Sequence, residues 1–233
     1  MTTRLVAGGR SGEHTSLLLL AGGAALTVFY YFARADTIGV SGLGHLWSPM
    51  TRPGLPIGLH WAGALLLLGL LPVLAARRLI GLSWRALGLG VGAWRQGLAL
   101  VAIGAPLAMV AGYLGSRSAA MRAVYPLDPG FAESRFALYA ALQALYFGPW
   151  EVLFRGVLLF GTRQRWGDSG ANALQTALSV TAHFGRAMNE TIAAFPAGLL
   201  FGWIGLRLNS IWYVALLHWL VGVSMDWFIL TSP

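Results

Sequence analysis

Apolar runs of near-uniform length, broken by short polar stretches, fill the chain. A helix that crosses a bilayer needs ~20 mostly apolar residues, with ~17 as the lower bound. Runs at 16–33, 57–76, 96–114, 136–161, 191–208 and 211–230 satisfy that requirement, and a shorter, more polar one lies at 171–184. The pattern predicts an all-α fold: a polytopic transmembrane helical bundle of about seven spans, six to eight if 171–184 re-enters or splits. Pro106 sits inside the third run and Pro149 inside the fourth. Spanning helices tolerate proline when neighbours satisfy the freed carbonyl, and a kink is expected at Pro149. The stretch 77–95 is a candidate interfacial helix, 39–56 a Gly/Pro-rich loop and 117–135 a polar loop. No repeat or linker divides the chain, so one membrane domain is expected over 1–233, with the N-terminal spans in 1–80.

Composition agrees with lipid as the solvent. Hydrophobic residues make up 57% and charged residues 10%, against about 25% charged in soluble domains. The net charge is +8, and all sixteen basic residues are Arg. They are spread singly or in pairs between the apolar runs rather than gathered into a patch, which argues against nucleic acid as a partner. With the densest loop, that of Arg77, Arg78, Arg85 and Arg95, placed inside, nine arginines are cytoplasmic, six are outside and Arg155 is within the membrane. The N-terminus is then cytoplasmic. Arginine in place of every lysine, beside abundant Ala, Gly and Leu, points to GC-rich coding and hence to a bacterial cytoplasmic membrane. Ala33-Arg34-Ala35 resembles a signal-peptide cleavage site, yet a polytopic chain can keep its first span as an uncleaved anchor. Cysteine is absent, which excludes disulfides, thiol catalysis and Cys-based metal sites.

A charge at bilayer depth costs ~2.5 kcal/mol or more, so such residues usually face a bundle interior and mark a site. Beyond Phe136 these residues are Glu151, Arg155, His183, His218 and Asp226, with Arg186 and Glu190 just outside a span. Glu151 and Arg155 are four residues apart, on one helix face and in the favourable acid-first order. The pair serves either as a structural lock or as part of a site. His183 and His218 are each embedded in apolar sequence, as a packing histidine or a ligand would be. Glu190 either caps the sixth span or joins the site. Asp226, two turns beyond His218, could line the same pocket or equally be an interfacial residue near the C-terminus. His14, His45 and His60 receive no role.

Phe147-Gly148-Pro149-Trp150-Glu151-Val152-Leu153-Phe154-Arg155-Gly156 resembles the first motif of the CAAX protease and bacteriocin-processing (CPBP) family of intramembrane glutamic proteases, Glu-Glu-x-x-x-Arg followed by Gly. His183 falls where the second motif, Phe-x-x-x-His, places its histidine, and His218 where the third, His-x-x-x-Asn, begins. The order, spacing and flanking glycines agree over roughly 80–230, which implies a CPBP-like core at 81–230. The chain departs from the motifs at Trp150, Ser179 and Gly222. It is similar to a branch with Trp-Glu in the first motif, in which Glu190 and Asp226 compensate for the missing groups.

The resemblance implies an intramembrane peptidase. Glu151 would take the proton of an attacking water, Arg155 would hold Glu151, and His183 and His218 would donate to the oxyanion. Substrates would be membrane-associated peptides: lipid-modified C-termini, leader peptides or bacteriocin-like peptides. No cofactor is expected; the alternative is zinc on His183, His218 and Glu190. Trp150 also fits a rival role, a non-catalytic subunit that binds a partner complex, a lipid or a pigment. A transporter is a weaker third reading, since neither a repeat nor paired broken helices are visible.

Overall fold

The computed structural model describes residues 2–34 and 55–232, with side chains over 12–34 and 57–232. His45, Ala35 and most of the 39–56 loop lie outside the described residues. The helices are α1 (Thr2–Phe32), α2 (Leu55–Gly63), α3 (Leu71–Leu79), α4 (Trp94–Ser116), α5 (Ala119–Arg122), α6 (Pro129–Ser134), α7 (Phe136–Glu151), α8 (Gly161–Thr181), α9 (Met188–Leu208) and α10 (Trp212–Thr231). A π-helical stretch, Ala64–Leu70, joins α2 to α3, and a second, Val152–Phe160, joins α7 to α8. The described residues contain no strand.

Among these residues, Gly12–Phe32, Ile57–Leu79, Trp94–Ser116, Met188–Leu208 and Trp212–Thr231 are long and apolar enough to cross a membrane. The chain is a multi-pass membrane protein with an all-helical body. The expected fourth span corresponds to α7 with its π stretch. The expected fifth corresponds to α8, which is too polar to qualify by composition: Asn172, Gln175 and Thr176 turn inward, where Gln175 Nε2 reaches Gly198 O (3.0 Å) and Asn172 Nδ2 reaches Leu199 O (2.9 Å) on α9. Inside α8, Gly167 takes φ 69°, which separates its polar first turns from the part that packs on α9.

All nine residues of the stretch Val152–Phe160 are buried, eight of them apolar or glycine and the ninth Arg155. Phe29, Ala33, Leu68, Trp150, Leu153 and Phe154 form one cluster around it, and Leu18, Val73, Leu87, Val157 and Ile211 belong to another. The expected kink at Pro149 takes the form of a helix that continues and then widens. Pro149 has no N–H to offer the preceding turn, and the Val152 N–H is shared between Gly148 O and Pro149 O.

Residues 81–93 form turns and not the expected interfacial helix. Gly81, Gly88 and Gly92 all have positive φ, which breaks helical winding. The backbone groups pair with α9 and α10 instead: Ala93 N donates to Leu208 O (2.8 Å), Ile211 N to Gly88 O (3.0 Å), Trp212 Nε1 to Leu89 O (3.0 Å) and Tyr213 Oη to Val91 O (2.7 Å). The segment straps the corner between α9 and α10. Along α4, Gly97, Gly104 and Gly112 face Tyr213, Leu217 and Ser224 of α10, the small-residue contact by which membrane helices approach closely.

Candidate active site

Glu151 closes α7 and Arg155 follows one turn later in the π stretch. Arg155 Nη1 donates to Glu151 Oε1 at 3.1 Å, with both side chains buried. His218, on the second turn of α10, points its Nδ1 at the same oxygen, 2.7 Å away. The Glu151 side chain is sealed at 0% exposure, whereas that of His218 is 26% exposed. Glu151 Oε2 is buried without a hydrogen-bond partner among the described residues. Because a carboxylate oxygen can only accept, the imidazole donates through Nδ1. Phe147 packs edge-on to the His218 ring (centroids 4.8 Å apart), and Phe201 stands on the other flank at 5.8 Å.

His183 sits in the turn after α8. Its Nδ1 donates to Ser179 O (2.7 Å), and Thr191 Oγ1 donates to His183 O (2.9 Å), tying the turn to the start of α9. Its ring packs edge-on to Trp150, centroids 5.3 Å apart. Glu190 occupies the first turn of α9 and accepts from the Tyr125 hydroxyl (3.0 Å). Burial, opposed by Arg186 and reinforced by the Glu190 carboxylate, holds the Tyr125 phenol well above its ordinary value, so it stays a donor. His183, Trp150, Arg186, Glu190, Arg34 and Tyr30 line one small cavity with room for about a single water.

The chain therefore brings Glu151, Arg155 and His218 into direct contact and places His183 and Glu190 together on a neighbouring cavity. Asp226 does not join either set. It accepts from Gln143 Nε2 (2.6 Å) and Tyr139 Oη (3.1 Å), buried between α7 and α10. This corrects the expectation that Asp226 lines the same pocket as His218: two turns along α10, it meets a different level of α7. No three His, Asp or Glu side chains gather as a metal would require among the described residues. The donor set proposed for zinc is engaged elsewhere, with Glu190 on Tyr125 and His218 on Glu151.

Sequence reading missed Tyr139, Gln143 and Tyr125. Gln143, the lone amide in the apolar helix 136–151, was the available signal. The departures from the motifs have structural counterparts. Trp150 is a core residue whose ring lies tilted against Phe154 (centroids 4.6 Å apart), Ser179 offers its backbone carbonyl to His183, and Gly222 leaves room for the Phe147 ring.

The family model described as "Type II CAAX prenyl endopeptidase Rce1-like" matches residues 131–224. That stretch is similar to the Rce1-like family. The match bears out the resemblance to CPBP intramembrane proteases and contains Glu151, Arg155, His183, Glu190 and His218, while Asp226 falls two residues beyond its end. No curated protein and no solved structure matches the chain. The Rce1-like stretch runs from α6 to the middle of α10, so α1 to α4 and the strap at 81–93 lie outside it.

Proposed function

We propose that the chain is an intramembrane peptidase of the CPBP type, in which Glu151 and His218 act as one unit on water. One observation carries this reading: residues 67 positions apart form a 2.7 Å contact in which the carboxylate is sealed and the imidazole part-exposed. A sealed carboxylate is poorly placed to meet water, but it can orient a histidine that does. His218 Nε2 takes a proton from water as the water oxygen bonds to the scissile carbonyl carbon. The C–N bond then breaks, and the same proton passes from Nε2 to the leaving amine. Glu151 stabilises the transient imidazolium, and Arg155 keeps the carboxylate ionised. His218 is thus a base relay in this scheme and not the oxyanion donor that the motifs suggest.

His183 and Glu190 fit the substrate side. A peptide N–H can be accepted by Glu190, whose Oε2 is buried without a partner among the described residues. The substrate would be a membrane-associated or lipid-modified peptide. The reading is metal-free, with Glu190 bonded to Tyr125 and His218 to Glu151. We place the chain in a bacterial cytoplasmic membrane with its N-terminus inside, on the split of nine arginines against six.

The test is cleavage of a fluorogenic lipidated peptide in proteoliposomes. Glu151→Gln and His218→Gln should each lower turnover by about 10²–10⁴-fold while the protein elutes as the wild type does. Unchanged turnover in either variant rejects the pair as the reacting unit. A folded wild-type chain that cleaves nothing and co-purifies with a larger membrane complex would point to the non-catalytic role.

A further inference from the structure

α7 and α10 run antiparallel and touch at three successive levels. Gln143 meets Asp226, Phe147 lies against Gly222, and Glu151 meets His218. Each step of four residues along α7 is matched by a step of four back along α10, so the three contacts share one axial register. The outer two are polar and the middle one apolar. Gly222 is what admits the Phe147 ring, since a Cβ there would fall within 3 Å of Phe147 Cε2. The polar levels are about 12 Å apart at 1.5 Å rise per residue. Asp226 accepts both of its hydrogen bonds from α7, from Gln143 and from Tyr139, so it ties α10 to α7 alone.

We propose that Asp226, Gln143 and Tyr139 form a positioning clamp that sets the register at which His218 meets Glu151. The proposal rests on the reading of Glu151 and His218 as the reacting pair. The polar clamp serves where a greasy contact would not. Apolar helix surfaces can slide in lipid with little penalty, whereas Asp226 Oδ2 meets both of its donors in one alignment only, its Oδ1 being buried without a partner among the described residues. A slip by one turn moves the helices 5.4 Å, which breaks the 2.7 Å contact. Asp226, Gln143 and Tyr139 touch no reacting atom, so they act through His218 and Glu151.

The experiment reads the His218 ring directly in nanodiscs, with ¹⁵N-labelled histidine and the His218 signal assigned by its loss in His218→Gln. In the wild type His218 should show the Nδ1-protonated tautomer. Asp226→Leu and Gln143→Leu should shift it to a mixed tautomer and lower kcat on the lipidated peptide about 10²-fold with KM little changed. Asp226→Asn keeps an acceptor for Gln143 and Tyr139 and should restore the wild-type spectrum. Tyr139→Phe removes one bond and should give a smaller shift, which covers the case in which Asp226→Leu does not fold. His183, held by Ser179, is the internal control. A wild-type His218 spectrum in Asp226→Leu, or an equal disturbance of His183, overturns the clamp. Because the spectrum needs no turnover, an inactive protein would defeat the peptidase reading and leave the clamp testable.

Discussion

Glu151 Oε1 receives both the Arg155 guanidinium and the His218 imidazole, so three side chains from two segments converge on one oxygen. Removing the guanidinium leaves a buried carboxylate with only the His218 imidazole as partner. Breaking a buried pair from one side costs about 3–5 kcal/mol. Arg155→Met and Glu151→Gln each leave one buried charge without its counter-charge and should therefore both lower the thermal unfolding midpoint in detergent. Midpoints equal to the wild type in both variants would show that the pair carries no stability. The i, i+4 spacing made Glu151 and Arg155 legible in the sequence, and the third motif singled out His218. Their meeting was not legible, since spacing reports neighbours on one helix and not contacts across 67 residues. Asp226 was singled out for its charge, but its partners Gln143 and Tyr139 are ordinary residues by composition.

Helices impose their own limits on what can be changed. On α4, Gly112 faces Ser224 and the backbone of Met225 so closely that a Cβ has no room. Gly112→Val should force α4 away from α10 and lower the midpoint by several degrees, whereas Gly23→Val, which meets nothing within 4 Å, should leave it unchanged. Similar loss from both substitutions would mean that intrinsic glycine effects, and not the seam, are responsible. The apolar runs predicted the spans well: 96–114 corresponds to Trp94–Ser116, and 191–208 to Met188–Leu208. Apolarity of that kind is a one-dimensional property and survives folding. The π stretches and the turns at 81–93 were not visible. They depend on where a proline interrupts a packed helix, and on glycine turns whose partners are distant in the chain, as where Gly88 O accepts from the Ile211 N–H.

Topology decides which charges share an end of the molecule. Arg34, Tyr125, Arg186 and Glu190 gather at the end where α1 finishes and α9 begins, and Arg77, Arg163 and Arg207 lie toward the other. The chain has no cysteine, so single labels can be read without background. Ser118→Cys should react with an impermeant maleimide added outside intact cells, and Arg165→Cys only after lysis. The reverse pattern would invert the proposed orientation. The strap at 81–93 has a kinetic consequence for the whole bundle. The amides of Ala93 and Ile211 are held at 2.8 and 3.0 Å by carbonyls of other segments, so solvent deuterium should enter them slowly. The turn at His183, whose amides bond only to carbonyls three or four residues away, should exchange first, and opening of the bundle would begin on that side.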